Sequence, residues 1–67
     1  MQVQINGETQ QRKEGETLEM LMDEFALLQK EGIAVAVNCE VVPKVKWPSH
    51  ALKAYDAVDI VSPFQGG

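Results

Sequence analysis

The stretch TLEMLMDEFALLQKEG, residues 17–32, decides the fold. Thr17 is placed as an N-cap, because its hydroxyl accepts from a free backbone amide of the first turn. Glu19 follows in that turn, where the helix dipole favours an acid. Leu18, Leu21, Met22, Phe25 and Leu28 then recur at helical spacing and make one apolar stripe. Lys30 suits the closing turn and Gly32 the residue just past it, so the pattern predicts a helix over 17–31. A single helix with a single stripe needs a sheet to cover it.

The flanking segments supply the strands. Gln2, Val3, Gln4 and Ile5 alternate polar and apolar, the period of a half-buried strand over 2–6. Asn6-Gly7 marks a tight hairpin, since a type I′ turn needs positive φ at both central residues. The return segment, Thr9 to Lys13, is polar throughout and belongs at an edge. Beyond the helix, Ile33, Val35 and Val37 alternate with Ala34 and Ala36, giving a strand with one bulky and one small face. Asn38-Cys39-Glu40 reads as a turn. Val41-Val42 opens another strand, which Pro43 shortens or places at an edge. Residues 44–56 read as irregular, with Leu52 tucked beneath. Val58 to Ser62 is a last strand, with Val58 and Ile60 on one face, and Pro63 ends it. The expected fold is α+β: a mixed sheet with one main helix packed on one face, the β-grasp or ubiquitin-like arrangement. The domain spans 1–62, and 63–67 forms a flexible tail.

Composition narrows the function. Sixty-seven residues make one small domain with a thin core, because a chain this short buries only about 60% of its unfolded surface. Ten acidic against six basic residues leave a net charge of −4, which disfavours nucleic acid as a partner. One cysteine excludes an internal disulfide and makes the cytoplasm the default compartment. No apolar run reaches membrane length, and Met1 does not lead into a secretion signal.

The sequence closes on Gly66-Gly67. Two residues without side chains form a thread that can enter a narrow slot, and the α-carboxylate of Gly67 is the candidate reactive group. The plain alternative is a frayed terminus. Extended, residues 63–67 span about 17 Å, enough to bring the carboxylate into a partner's buried site while the folded body stays outside.

Taken in order, several segments resemble the ThiS family, the sulfur carriers of thiamin biosynthesis. They are Asn6-Gly7-Glu8 after the first strand, Thr17-Leu18 at the helix start and Val35-Ala36-Val37-Asn38. Val41-Val42-Pro43-Lys44, Trp47, Asp59-Ile60-Val61 and Gln65-Gly66-Gly67 complete the series. The likeness covers the whole chain and supplies the expected strand order. Three positions depart from the family pattern. Tyr55-Asp56 stands where Gly-Asp is usual, Asn38-Cys39 replaces Asn-Gly, and Pro43-Lys44 replaces Pro-Arg. The first two remove a glycine from a turn and put the local geometry there in question.

The resemblance implies a chemistry. A carboxylate resists nucleophiles. ATP, with Mg, converts it to an acyl-adenylate on a partner enzyme; persulfide or sulfide then leaves a thiocarboxylate at Gly67. The implied partners are an adenylating enzyme of the ubiquitin-activating type, thiazole synthase as acceptor, and a sulfur donor such as a cysteine desulfurase. The chain itself binds no cofactor on this reading. It lacks a phosphate-binding G-x-x-x-x-G-K loop and is a substrate and carrier, not an enzyme. Phe64, Gln65, Gly66 and Gly67 are the expected partner-binding residues. Phe64 either anchors on the partner, as aromatic residues do in interface cores, or packs on its own sheet.

Other residues have plainer readings. Cys39 could relay sulfur, but a reactive thiol needs a neighbour that lowers its pKa, and Glu40 acts the other way; it is read as a turn residue. His50 has no second ligand at metal spacing and is read as exposed. Glu14, Glu16, Glu19, Asp23, Glu24 and Glu31 are read as a solvated face. Ala34, Ala36, Gln2 and Gln4 form an uncovered sheet face suited to a docking partner. The molybdopterin synthase small subunit, a ubiquitin-like modifier and a plain β-grasp binding module are the alternatives. The first is usually longer than this chain, and the last needs no free terminus.

Overall fold

The computed structural model describes residues 1–62. Five strands form one mixed sheet: β1 (Gln2–Ile5), β2 (Glu8–Gln11), β3 (Ala34–Val37), β4 (Glu40–Val41) and β5 (Ala57–Val61). Their order is β2-β1-β5-β3-β4. β1 and β5 run parallel, and every other neighbouring pair runs antiparallel. The helix α1 (Leu18–Glu24) and a 3₁₀ helix (Lys44–Ser49) lie on one face. This is the β-grasp arrangement, in the strand order that the family resemblance implies, with the polar return strand β2 at one edge and the short β4 at the other.

Alternation sorts the side chains as the sequence predicts. Val3, Ile5, Val35, Val37, Val58 and Ile60 are buried against Leu18, Leu21 and Met22. Phe25 and Leu28 are half-buried and pack against that core. Asn6 and Gly7 adopt φ of 51° and 84°, the positive pair a type I′ hairpin needs. Thr17 caps α1 by accepting from the Met20 amide at 3.2 Å.

The helix ends seven residues earlier than its stripe predicts, at Glu24 and not at residue 31. Ala26 turns left-handed at φ 60°. Its amide donates to the Asp23 carbonyl at 3.0 Å, and the Leu27 amide reaches back to Met22 at 2.9 Å. That is a Schellman closure, built on alanine in place of the expected Gly32. A left-handed alanine costs about 1–2 kcal/mol, and fully burying a leucine returns about 1.5–3 kcal/mol, of which half-buried Leu27 gains a part. Turning at Ala26 packs Leu27, which lies off the helical stripe, against the core beside Phe25 and Leu28. That burial and the two closing hydrogen bonds offset the strain.

Two further expectations need correction. Residues 44–56 are not irregular throughout. Lys44–Ser49 form the 3₁₀ helix, and Trp47 is buried in the core with its indole N–H on the Val42 carbonyl at 3.0 Å. A bridge between Thr17 and Ala51, with Leu52 donating to Glu16 at 2.7 Å, ties this segment to the start of α1. Nor are the acids all solvated. Glu16 is buried, and Arg12 grips it with Nε and Nη2, both at 2.7 Å. The same guanidinium reaches Glu24 at 3.0 and 2.7 Å. Its two carboxylate partners hold Arg12 above its ordinary pKa, and the hydrogen bonds from Arg12 hold Glu24 below the usual carboxylate range.

The missing turn glycines leave the geometry intact. Cys39 and Tyr55 adopt φ of 70° and 71°, so each keeps the left-handed conformation at the position where the family pattern has glycine.

Three predictions follow from these contacts. Glycine removes the Cβ clash of a left-handed residue, so Ala26→Gly and Tyr55→Gly should each raise stability by about 0.5–1 kcal/mol in denaturant titration. Arg12→Leu strands the buried Glu16 and should cost about 2 kcal/mol, with Arg12→Lys restoring only part, because an ammonium cannot form the bidentate fork. Glu24 is lowered in the folded state, so its contribution is present above the ordinary glutamate range and is lost as pH falls through the folded value. Acid titration of Glu24→Gln should therefore show a shallower loss of stability than the unsubstituted protein.

Candidate functional site

The middle strand β5 leads into Ser62, the last described residue. It starts beside the β3–β4 turn, where Val37 pairs with Val58, and ends beside the start of β3, where Ala34 pairs with Val61. Both ends are held by asparagine side chains. At the start, Asn38 accepts from the Ala57 amide at 3.0 Å and donates to Asp56 at 2.9 Å. Asp56 is buried, and its second oxygen accepts from the Lys53 amide at 2.8 Å. At the far end, the Asn6 side-chain oxygen accepts from the Ile60 amide at 2.7 Å. Ser62, buried, follows β5 at that end.

The face of the sheet opposite α1 is uncovered by any described element. Register places Gln4 beside Ala57, Ala36 between Asp59 and Val41, and Ala34 beside Val61. The outcome matches the predicted small, weakly polar face and adds to it. Val41 and Val61 are 69% and 64% exposed, and with Ala34 and Ala36 they make an apolar patch over β5, β3 and β4. This patch adjoins Ser62. The alternation rule could have found Val61, since it sits out of phase with Val58 and Ile60.

The remaining candidates fall elsewhere. Cys39 is exposed in its turn, at the end of β5 opposite Ser62. Five residues of strand separate Ala57 from Ser62, about 17 Å, so Cys39 stands a full strand length from the exit point. His50 is half-buried, not exposed as expected, and its carbonyl accepts from the Leu18 amide at 3.0 Å. Among the described residues, no group of three or more histidine, cysteine or carboxylate side chains is disposed to hold a metal. No helix among them is long and apolar enough to cross a membrane. Phe64, Gln65, Gly66 and Gly67 lie outside the described residues.

Comparison with known proteins agrees with this geometry. The family model described as the ThiS family matches residues 3–67. The sulfur carrier protein ThiS of Escherichia coli (strain K12) is 28% identical over 67 residues, covering all of both chains. The crystal structure of the thiamine biosynthesis protein ThiS from Geobacter metallireducens superposes with a TM-score of 0.82, at 25% identity and with full coverage of both chains. A solution structure of a thiamine biosynthesis protein from the same organism gives 0.77 at 26% identity, covering all of this chain and 88% of that one. The order of motifs, the β-grasp topology and these matches converge: the chain belongs to the ThiS family, as a sulfur carrier of thiamine biosynthesis that works with enzymes of that pathway and is not itself an enzyme.

Proposed function

We propose that the sulfur is carried on the C-terminal carboxylate of Gly67. The observation behind this reading is that the family match runs through residue 67 and so takes in Gln65-Gly66-Gly67. In the first step a carboxylate oxygen attacks the α-phosphorus of ATP, with Mg, on an adenylating enzyme of the ubiquitin-activating type, and pyrophosphate leaves. In the second, sulfide, released when a thiol reductant reduces the persulfide of a donor such as a cysteine desulfurase, attacks the acyl carbon. AMP departs with the original oxygen, leaving a thiocarboxylate. Thiazole synthase is the proposed acceptor of that sulfur.

The body contributes docking. The patch of Ala34, Ala36, Val41 and Val61 offers small and β-branched apolar side chains beside Ser62, with the exposed carboxylate of Asp59 among them. A partner seated there has the thread Gly66-Gly67 within its reach, with Phe64 and Gln65 as flanking contacts. Paired glycines keep that thread thin.

Incubation with ATP, the adenylating enzyme and a sulfide source should raise the intact mass by the difference between sulfur and oxygen, with fragmentation placing the change on Gly67. No change, or a change on Cys39, overturns the reading. Gly66→Val should melt like the unsubstituted protein, within about 0.5 kcal/mol, yet lose most of its ATP–pyrophosphate exchange, because a β-branched side chain thickens and stiffens the thread. In the same assay Cys39→Ser should fold and accept sulfur at the normal rate, as expected of a plain turn residue; loss of transfer in a folded Cys39→Ser protein would restore the thiol as a relay.

A further inference from the structure

The parallel ladder between β1 and β5 has an irregular last rung. Gln4 donates its amide to the Asp56 carbonyl at 2.9 Å, and Asn6 donates to Val58 at 2.8 Å. The pattern of a parallel pair then calls for the Ile60 amide to donate to the main-chain carbonyl of Asn6. Instead it donates to the side-chain oxygen Oδ1 of Asn6, at 2.7 Å. The cause is local. Asn6 sits at φ 51° as the first central residue of the hairpin turn, so the chain swings away into β2, and the side chain supplies the acceptor that the backbone has withdrawn. Asn6 joins residues 54 apart in sequence through this bond. The rung lies two residues before Ser62, at the end of β5 that faces the reactive terminus.

We infer that Asn6 is a positioning residue for sulfur loading: its side chain extends the sheet by one rung and so fixes the direction in which β5 delivers the C-terminal segment to the adenylating partner. The inference rests on the proposed role of Gly67. Attack on ATP needs the carboxylate held close to the phosphorus, and an error of about 1 Å in such placement can cost about a hundredfold in rate. Losing the rung would leave the end of β5 held on its β3 side, where Ala34 pairs with Val61, and would loosen the direction in which the chain leaves the sheet. Asn6 lies off the patch formed by Ala34, Ala36, Val41 and Val61, so docking itself should be spared.

The experiment compares Asn6→Gly and Asn6→Asp with the unsubstituted protein. Glycine accepts the positive φ of the turn but provides no acceptor, whereas aspartate keeps both the turn preference and an oxygen at the same place. In Asn6→Gly the Ile60 amide should exchange about tenfold faster relative to Val35, a neighbouring β3 residue that reports opening of the whole sheet. Adenylation by the partner should lose about tenfold in kcat with the KM for the carrier nearly unchanged, the signature of lost placement and not of lost docking. Asn6→Asp should restore both readings. Normal kcat in Asn6→Gly, a loss carried by KM, or failure of Asn6→Asp to restore kcat while it restores Ile60 protection would each overturn the inference and leave Gly67 as the carrier. Absence of adenylation in the unsubstituted protein would overturn the proposed role of Gly67 and this inference with it.

Discussion

The sheet depends on holding its middle strand at both ends. β5 lies between β1 and β3 and joins the two hairpins into one sheet. Each hairpin turn opens with an asparagine in the left-handed conformation, and each asparagine turns its side chain onto β5: Asn38 at Ala57 and Asn6 at Ile60. Asparagine is suited to both tasks, since it tolerates positive φ and carries an acceptor on a short side chain. The same two residues therefore make the hairpins and join them. Asp56 strengthens the first junction by binding Asn38 and the Lys53 amide together.

The two faces of the sheet divide the protein's work. One is closed by Leu18, Leu21, Met22 and Trp47, and carries the stability of a thin core. The other remains open to neighbours. Arg12 belongs to the first face in effect, because it fastens the segment between β2 and α1 to the helix through Glu16 and Glu24. The exposed half of that pair, to Glu24, is screened by water and salt, so the Glu16 half is the durable one.

Strands, turns and the start of the helix were legible because their signals are local. Alternation of Gln2 to Ile5 and of Ile33 to Val37, the Asn6-Gly7 pair and the Thr17 cap each depend on near neighbours. What escaped was set by partners distant in the chain. The helix stops at Glu24 because the turn at Ala26 carries Leu27 onto the core, which the periodicity of the stripe alone does not reveal. Arg12 reads as one more polar residue of an edge segment until folding brings Glu24 to it. The rung from Asn6 to Ile60 spans nearly the whole chain. Trp47 read as part of an irregular segment, yet that segment is wound into a 3₁₀ helix that carries it inward. Of the candidate site, the open face was foreseen from Ala34 and Ala36, and Val41 and Val61 joined it only through register. Gly66-Gly67 stood out by composition, since two adjacent glycines need no fold to be noticed.

The placement of β5 also bears on how the protein is made. Ribosomes emit β1 and β2 first, and that hairpin has nothing to pair with on its inner edge until residues 57–61 emerge. Hairpins in isolation are marginal in water, and contacts of long sequence separation form late. A nascent or broken chain that stops short of β5 would then stay open to proteases. Cellular quality control would thereby clear bodies that lack β5 and Ser62 before they meet the enzymes of the pathway.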